Sequence, residues 1–396
     1  MLHRLIWSNL AAQSAEQVSL AAAPIVAALL LGATPAEAGA LGAAQTLPFL
    51  LLSVPAGLLA DRMARRRLMI TSEVLRAIAL AALPLLAWAG ALSIFSLGVI
   101  GFCAATATVV YSVTAPALVP SLVPRAGLAH ANAQLELARS VAFAAGPPLA
   151  GALVAWTSAS WAFGIAAALS VVAALLLSGL PAGAPDPAAA RAHPWTALTE
   201  GARFAWTHVY IRPILLTSVA WNLGWFVLQA TYALYASQRL GFGAAEIGLS
   251  LGLYGVGMIV GSVLAGHLSR MISFGWLIAI GPFVSVLASG LLALTIMGPA
   301  WLAYAAFFAF GAGPIVWTIA QTTLRQAVTP APMLGRVSAL MMMASFGSRP
   351  VGALLGGAVG SAYGLDAAIM LSLALFVGQA FVLLLSSIPR LRELPA

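Results

Sequence analysis

The fold class this sequence predicts is an all-α membrane protein, with twelve transmembrane helices in two pseudo-symmetric six-helix bundles. Three observations predict it. Of 396 residues, 62% are hydrophobic and only 7% charged, with a mean hydropathy of +1.01, whereas soluble domains are roughly a quarter charged. Apolar runs of about 20 residues recur along the whole chain, each long enough to cross a hydrocarbon core of about 30 Å as a helix. They are uninterrupted, unlike the roughly 10-residue alternating strands of a membrane β-barrel. The third observation is the placement of the arginines between those runs.

Breaking the apolar runs at turn and charge signals gives twelve spans in order: 5–31, 37–59, 68–89, 92–116, 134–156, 161–181, 212–236, 244–267, 272–296, 299–322, 333–360 and 364–388. Span 1 follows Arg4 with no small-residue cleavage site closing it, so it reads as a retained helix and not a leader. Spans 2 and 3 flank a tight charged turn, short turns join spans 3 and 4 and spans 5 and 6, a longer segment joins spans 4 and 5, and span 5 carries a Pro-Pro pair at Pro147 and Pro148. Spans 7 to 12 repeat that arrangement, and span 11 holds Pro350. Placing the N-terminus inside puts Arg4, Arg62, Arg65, Arg66, Arg67, Arg125, Arg191, Arg203, Arg212, Arg270, Arg325, Arg336, Arg390 and Arg392 in inner segments, with Arg239 alone outside. Fourteen inner arginines against one fix the parity of the span count and place both termini in the cytoplasm. The +8 net charge is thus a topology signal rather than a sign of nucleic-acid binding.

The longest polar segment, residues 181–208, divides the spans six and six. The expected organisation is an N-terminal bundle over 1–181, a cytoplasmic linker over 182–211 and a C-terminal bundle over 212–396. Within the linker, "PWTALTEGARFAW" has the pattern of an amphipathic helix lying on the inner surface. The halves echo each other: "ANAQLELARSVAFAAGPPLAGALV" (131–154) aligns with "LGRVSALMMMASFGSRPVGALLGG" (334–357), bringing Pro148 over Pro350. Such parallel repeats place a binding site at the midplane between two halves.

The turn between spans 2 and 3 reads "GLLADRMARRR", with five charges from Asp61 to Arg67. Gly57 permits close helix approach, and Asp61 suits a helix N-terminus, where the dipole favours an acid. The order G-x-L-x-D-R-x-x-R-R, between the second and third of twelve spans, resembles the signature loop of the major facilitator superfamily. The resemblance extends over the chain through span count, six-plus-six division and orientation. It implies a secondary transporter working by alternating access, with a cavity lined by spans 1, 4, 7 and 10. In that family the loop acid latches the cytoplasmic side against the start of span 11, which makes Asp61 with Arg336 a candidate latch; the alternative is a helix cap. Arg62, Arg65 and Arg66 belong to the same gating loop. "GPPLAG", with Gly146, Pro147 and Gly151, resembles the G-P-x-x-x-G motif of exporter branches. Span 8 offers a glycine face for it (Gly248, Gly252, Gly257, Gly261 and Ala265), simple helix packing being the other reading. The texture of "LMITSEVLRAIAL" and "ANAQLELARS" resembles bacterial exporters of the macrolide and enterobactin-siderophore type.

The arginine that many proton-coupled members carry in span 4 is absent here. Glu16 in span 1 is the candidate coupling acid, since a desolvated carboxylate exchanges a proton near neutral pH; a substrate-cation contact and a fixed ion pair are the alternatives. Asn9, Gln13, Glu16 and Gln17 share a polar stripe. Arg349 in span 11 is expected to neutralise Glu16 or bind an anionic substrate. Glu136 and Arg139, three apart, suit a local ion pair or gate, and Glu73 with Arg76 read as structural. In span 7, Asn222, Trp225, Gln229 and Tyr232 share a face suited to a flat amphipathic ligand, packing or interfacial anchoring of the Trp and Tyr being the other reading. Trp317, Gln321 and Tyr111 are further cavity candidates, and Met341 to Met343 offer either an adaptable apolar wall or simple packing.

No metal or other cofactor is expected. The single cysteine, Cys103, forms no intrachain disulfide, the histidines lack ligand spacing, and a chain without lysine has no phosphate-binding G-x-x-x-x-G-K loop. No G-x-S-x-G elbow suggests an enzyme. The expected activity is proton-coupled efflux of a small amphipathic or hydrophobic compound, of the drug or siderophore class, across a bacterial inner membrane by a monomer. A nutrient importer of the same fold, a lipid flippase and a non-transporting scaffold or sensor are the alternatives. The expected partners are the substrate, protons and the lipid bilayer.

Overall fold

The computed structural model describes residues 1–119, 122–124, 128–181 and 194–395; for residues 54, 57, 58, 60–62, 116, 117, 128–130, 132, 133, 194–198, 331, 332 and 335 it describes the backbone only. Twelve long helices follow the predicted spans: α1 (Leu2–Leu29), α2 (Pro35–Arg62), α3 (Arg65–Trp88), α4 (Ile94–Leu118), α5 (Leu128–Trp156), α6 (Ala159–Ser178), α8 (Ile211–Gln238), α9 (Ala244–Met271), α10 (Phe274–Leu294), α11 (Leu302–Val328), α12 (Ala331–Tyr363) and α13 (Leu365–Leu384). The amphipathic linker segment is α7 (Pro194–Thr207). Among the described residues, nine helices are long and apolar enough to cross a membrane. The other three long helices are α1, with its polar stripe, and α2 and α12, which include residues outside the side-chain description.

Local chemistry sets the helix ends. Thr34 and Glu37 form a reciprocal capping box at the start of α2, and Ser93 and Ser96 do the same for α4. Gly364 joins α12 to α13 at φ 91°, a backbone region that only glycine occupies without strain. Prolines lie inside α1, α2, α3, α5, α10, α11 and α12, each removing one backbone donor from its helix, as membrane-spanning helices tolerate more readily than soluble ones.

The chain divides into two compact units: Met1–Ala192 with Gly241–Gly252, and His193–Leu240 with Leu253–Ala396. In the first, α1 packs on α5 and α6, α3 on α4 and α6, and α2 on α4. In the second, α8 packs on α12 and α13, α10 on α11 and α13, and Gly257 and Gly261 of α9 meet the α11 backbone. Each pairing in one unit has its counterpart six spans later in the other. The internal repeat seen as Pro148 over Pro350 is therefore a repeat of packing as well as of sequence.

Candidate functional site

In the first unit two members of the polar stripe of α1, Asn9 and Gln17, meet α5. The Asn9 Nδ2 donates to the Leu135 carbonyl at 3.1 Å. Gln13 and Glu16 are half-buried, and the Glu16 carbonyl accepts from Ser19 Oγ. Gln17 is buried, and its Nε2 has no partner among the described residues. Gly146 makes this approach possible: a Cβ there would lie 3.3 Å from the Gln17 carbonyl carbon and 3.4 Å from the Val18 nitrogen. A buried amide group without a partner costs about 1–3 kcal/mol unless water or a ligand satisfies it, so Gln17 Nε2, like Gln134 Oε1 on α5, is a ligand-seeking group of this unit.

The Gly-Pro-Pro segment also brings α5 against the start of α9. A Cβ on Gly151 would sit 2.9 Å from the Gly248 Cα, and one on Gly248 would sit 2.6 Å from the Pro147 carbonyl oxygen. Gly252 faces the Pro148 ring. The expected single glycine face on α9 is corrected here. Gly257 and Gly261 face the Phe308 and Ala312 backbone of α11 instead. The reason is helical geometry: the five residues from Gly252 to Gly257 turn the helix by about 500°, leaving the second pair roughly 140° from the first.

The remaining gating candidates lie around the α2–α3 turn and in the N-terminal halves of α5 and α12. Glu136 and Arg139 form an i,i+3 ion pair at 2.8 Å, with Arg139 also over the Phe143 ring at 5.6 Å. Arg66 donates to the Leu180 carbonyl at 2.7 Å, capping the end of α6, and Arg65 is half-buried beside it in sequence. Arg336 pairs with Glu200 on α7, and Gly201 lies against the Arg336 backbone. Glu200 had no role in the sequence reading, although it is the only acid between 194 and 212. The side chains of Gly57, Asp61 and Arg62 lie outside the described residues. At the foot of α8, His208 Nδ1 accepts from the Tyr210 and Ile211 amides, and burial lowers its pKa.

Two interior groups are packing elements. Arg76 binds Glu73 Oε1 at 2.6 Å and donates to Ser170 Oγ, Thr108 Oγ1 and the Ala12 carbonyl, each at 3.1 Å. One buried guanidinium thereby ties α3 to α6, α4 and α1. Tyr111, expected to line a cavity, is only 2% exposed and packs with Leu5, Met69 and Leu177, its hydroxyl 3.3 Å from Ser8 Oγ.

In the second unit, Arg349 of α12 reaches α8. Its Nε donates to Asn222 Oδ1 at 3.2 Å, and its guanidinium lies 4.2 Å from the Phe346 ring centre and 5.3 Å from that of Phe226. Ser218 and Ser345 are hydrogen-bonded at 2.7 Å between the same two helices. The two phenylalanines were missed, although Phe226 lies four residues after Asn222 and Phe346 three before Arg349, spacings that share a helix face. The aromatic residues expected beside Asn222 turn inward. Trp225 stacks on Trp221 at 5.4 Å and meets Tyr254, Phe307 and Phe310, while Tyr232 sits 4.4 Å from Phe307. Trp225 and Tyr232 are buried, and Gln229 between them is half-buried. The face is covered because α11 and α9 present their own rings to it. On α11, Trp317 Nε1 and Gln321 Oε1 are buried without partners among the described residues. Met341 is buried in the cluster that holds Trp317, while Met342 is exposed.

The family model described as transmembrane secretion effector matches residues 2–395. The chain belongs to this family of major facilitator superfamily transporters. It is a multi-pass membrane transporter with the superfamily's all-helical fold. It is 31% identical over 284 residues to the enterobactin exporter of Citrobacter koseri, covering 70% of this chain and 66% of that one. It is 30% identical over 286 residues to the enterobactin exporter of Salmonella typhimurium, with 70% and 67% covered. The chain thus spans about two thirds of the length of the curated relatives it matches. Among solved structures, the nucleoside transporter NupG superposes with a TM-score of 0.79 at 13% identity, covering 97% of this chain and 98% of that one. A bacterial homologue of the iron transporter ferroportin, in an inward-facing state, gives 0.76 at 17% identity, with 97% of each chain covered. At those identities the likeness shows the fold.

Proposed function

We propose that this transporter exports a small amphipathic compound of the siderophore class across the bacterial inner membrane by alternating access. Inward proton flow through Glu16 drives it, and Arg349 contacts the substrate. The observation that carries this reading is the setting of Arg349. A guanidinium at the centre of a membrane span costs about 2.5–3.5 kcal/mol on insertion scales. Here Asn222 orients it and two phenyl rings flank it, a setting that binds the acidic or phenolic edge of an aromatic ligand by charge and its ring by contact area. Within the first unit, Glu16 is half-buried and Gln17 Nε2 is buried without a partner among the described residues, which supports a polar, ligand-facing role for α1. The enterobactin exporters among its relatives support the siderophore class and the outward direction. The inner placement of fourteen arginines supports cytoplasmic termini.

The test uses purified protein in liposomes with an imposed pH gradient, following a panel of siderophore chelates and lipophilic dyes. Gradient-driven flux of a chelate is expected, lost in Glu16→Gln with binding retained, and lost in Arg349→Ala together with binding. Flux indifferent to the gradient, or unchanged in Glu16→Gln, removes the coupling assignment. Binding unchanged in Arg349→Ala removes the substrate assignment.

A further inference from the structure

The junction of α7 and α8 presents a second surface with its own chemistry. Three features hold α7 against the second unit: the Glu200–Arg336 pair, the contact of Gly201 with the Arg336 backbone, and Ala205, which is fully buried in one hydrophobic cluster with Ile211, Val337 and Ile388. The opposite side is open. Trp206 is 54% exposed and Val209 57%, and Arg203 and Arg212 are both exposed. The Arg212 guanidinium lies over the Trp206 ring at 5.0 Å. The only acid between 194 and 212 is Glu200, which Arg336 occupies. The cluster beneath also seats the short 3-10 turn Ile388–Arg390, so the exposed Arg390 and Arg392, with Glu393 beside them, extend from the same base.

We infer that this elbow is a docking surface for anionic phospholipid of the adjoining leaflet. Arg203 and Arg212 take the headgroup phosphate, and Trp206 and Val209 enter the acyl boundary. Position and charge select that occupant. The segment ends where the membrane span α8 begins, so a leaflet surface lies beside it. An exposed indole next to guanidinium groups with no carboxylate partner among the described residues matches the interfacial chemistry of anionic lipid, whereas the phosphate of a zwitterionic headgroup is offset by its own ammonium and leaves the net positive charge of the two arginines unneutralised. Because α7 is clamped from behind, the surface is already formed and needs no folding on contact. The inference requires only that the chain spans a membrane and does not depend on substrate or direction.

Native mass spectrometry of the full chain with equimolar phosphatidylglycerol and phosphatidylcholine tests it. Wild type is expected to retain phosphatidylglycerol preferentially. Arg203→Ala and Arg212→Ala should each lower that preference about fivefold, the factor one basic residue contributes at an anionic surface, and the double variant about 25-fold. Arg239→Ala, at the other end of α8, should leave it unchanged. Equal preference in wild type and the double variant overturns the proposal. So does full competition by millimolar inorganic phosphate, which would make this a soluble-anion site. If the double variant is not recovered folded, either single variant with an unchanged preference is equally decisive.

Discussion

Substituting Gly151 by alanine puts the contact between α5 and the start of α9 to a direct test. The added methyl carbon would lie 2.9 Å from the Gly248 Cα and 3.1 Å from its nitrogen, with the Ala244 carbonyl nearer still. Carbon atoms pack at about 3.5–4.0 Å, so the helices must part by roughly 0.5–1 Å, and backbone cannot turn aside as a side-chain tip can. Overpacking of this kind costs about 1–3 kcal/mol, while alanine in place of glycine inside a helix returns about 0.5–1 kcal/mol. The net expectation is a loss of about 0.5–2 kcal/mol. Gly290, inside α10, provides the internal control, because nothing lies within 4 Å of a Cβ there; Gly290→Ala should keep the gain alone. Thermal unfolding of the full chain in one detergent, followed by tryptophan fluorescence, should order the proteins Gly290→Ala, wild type, Gly151→Ala. At about 2–4 °C per kcal/mol for units of 150–250 residues, the extremes should differ by several degrees. Gly248→Ala should resemble Gly151→Ala, and the double variant should fall short of additivity because both changes open one contact. A Gly151→Ala protein at least as stable as wild type would refute the close-packing argument, and with it any sealing role for this motif.

Removing one member of the buried Glu73–Arg76 pair should be costly: Arg76→Met leaves an uncompensated carboxylate and is expected to destabilise by about 3–5 kcal/mol. Adding Glu73→Gln should recover part of that loss in the same melt. Gly201→Val should lift α7 from α12, since even a Cβ would stand 2.8 Å from the Arg336 carbonyl oxygen; limited proteolysis should then cut the linker faster, whereas Arg336→Ala, which breaks only an exposed pair, should cost less than about 1 kcal/mol. His208 gives a pH dependence of definite sign. Its folded pKa lies below the ordinary 6.5, because burial disfavours the imidazolium and Nδ1 accepts two backbone amides. Its contribution is therefore present above pH 6.5 and lost as the pH falls through the folded value. Hydrogen exchange at Tyr210 and Ile211, corrected for intrinsic rate, should accelerate on acidification, and His208→Asn should flatten that response.

How much was legible in advance follows from what a bilayer makes costly. Helix boundaries were readable because charges and turn residues are expelled from the hydrocarbon: the predicted span 212–236 is α8, Ile211–Gln238, and 272–296 is α10, Phe274–Leu294. The facing direction of each helix was not, because lipid and protein interior are both apolar and no polar face marks the buried side. That is why the aromatic face of α8 looked open in sequence yet meets Phe307, Phe310 and Tyr254, and why the glycines of α9 divide between α5 and α11. Interior charge behaves differently. Its cost makes its presence informative, so Glu16, Arg76 and Arg349 stood out at once, but the cost is met by groups distant in sequence: Ala12, Thr108 and Ser170 for Arg76, Asn222 and Phe226 for Arg349. Those partners also separate two kinds of interior cation. Arg76 is bonded to a carboxylate and to three helices within a closed core, whereas Arg349 has the side of an amide and the faces of two rings and remains half-buried. The first arrangement holds a bundle together through one carboxylate and three helices; the second joins α12 to α8 through the Asn222 amide and the Phe226 ring.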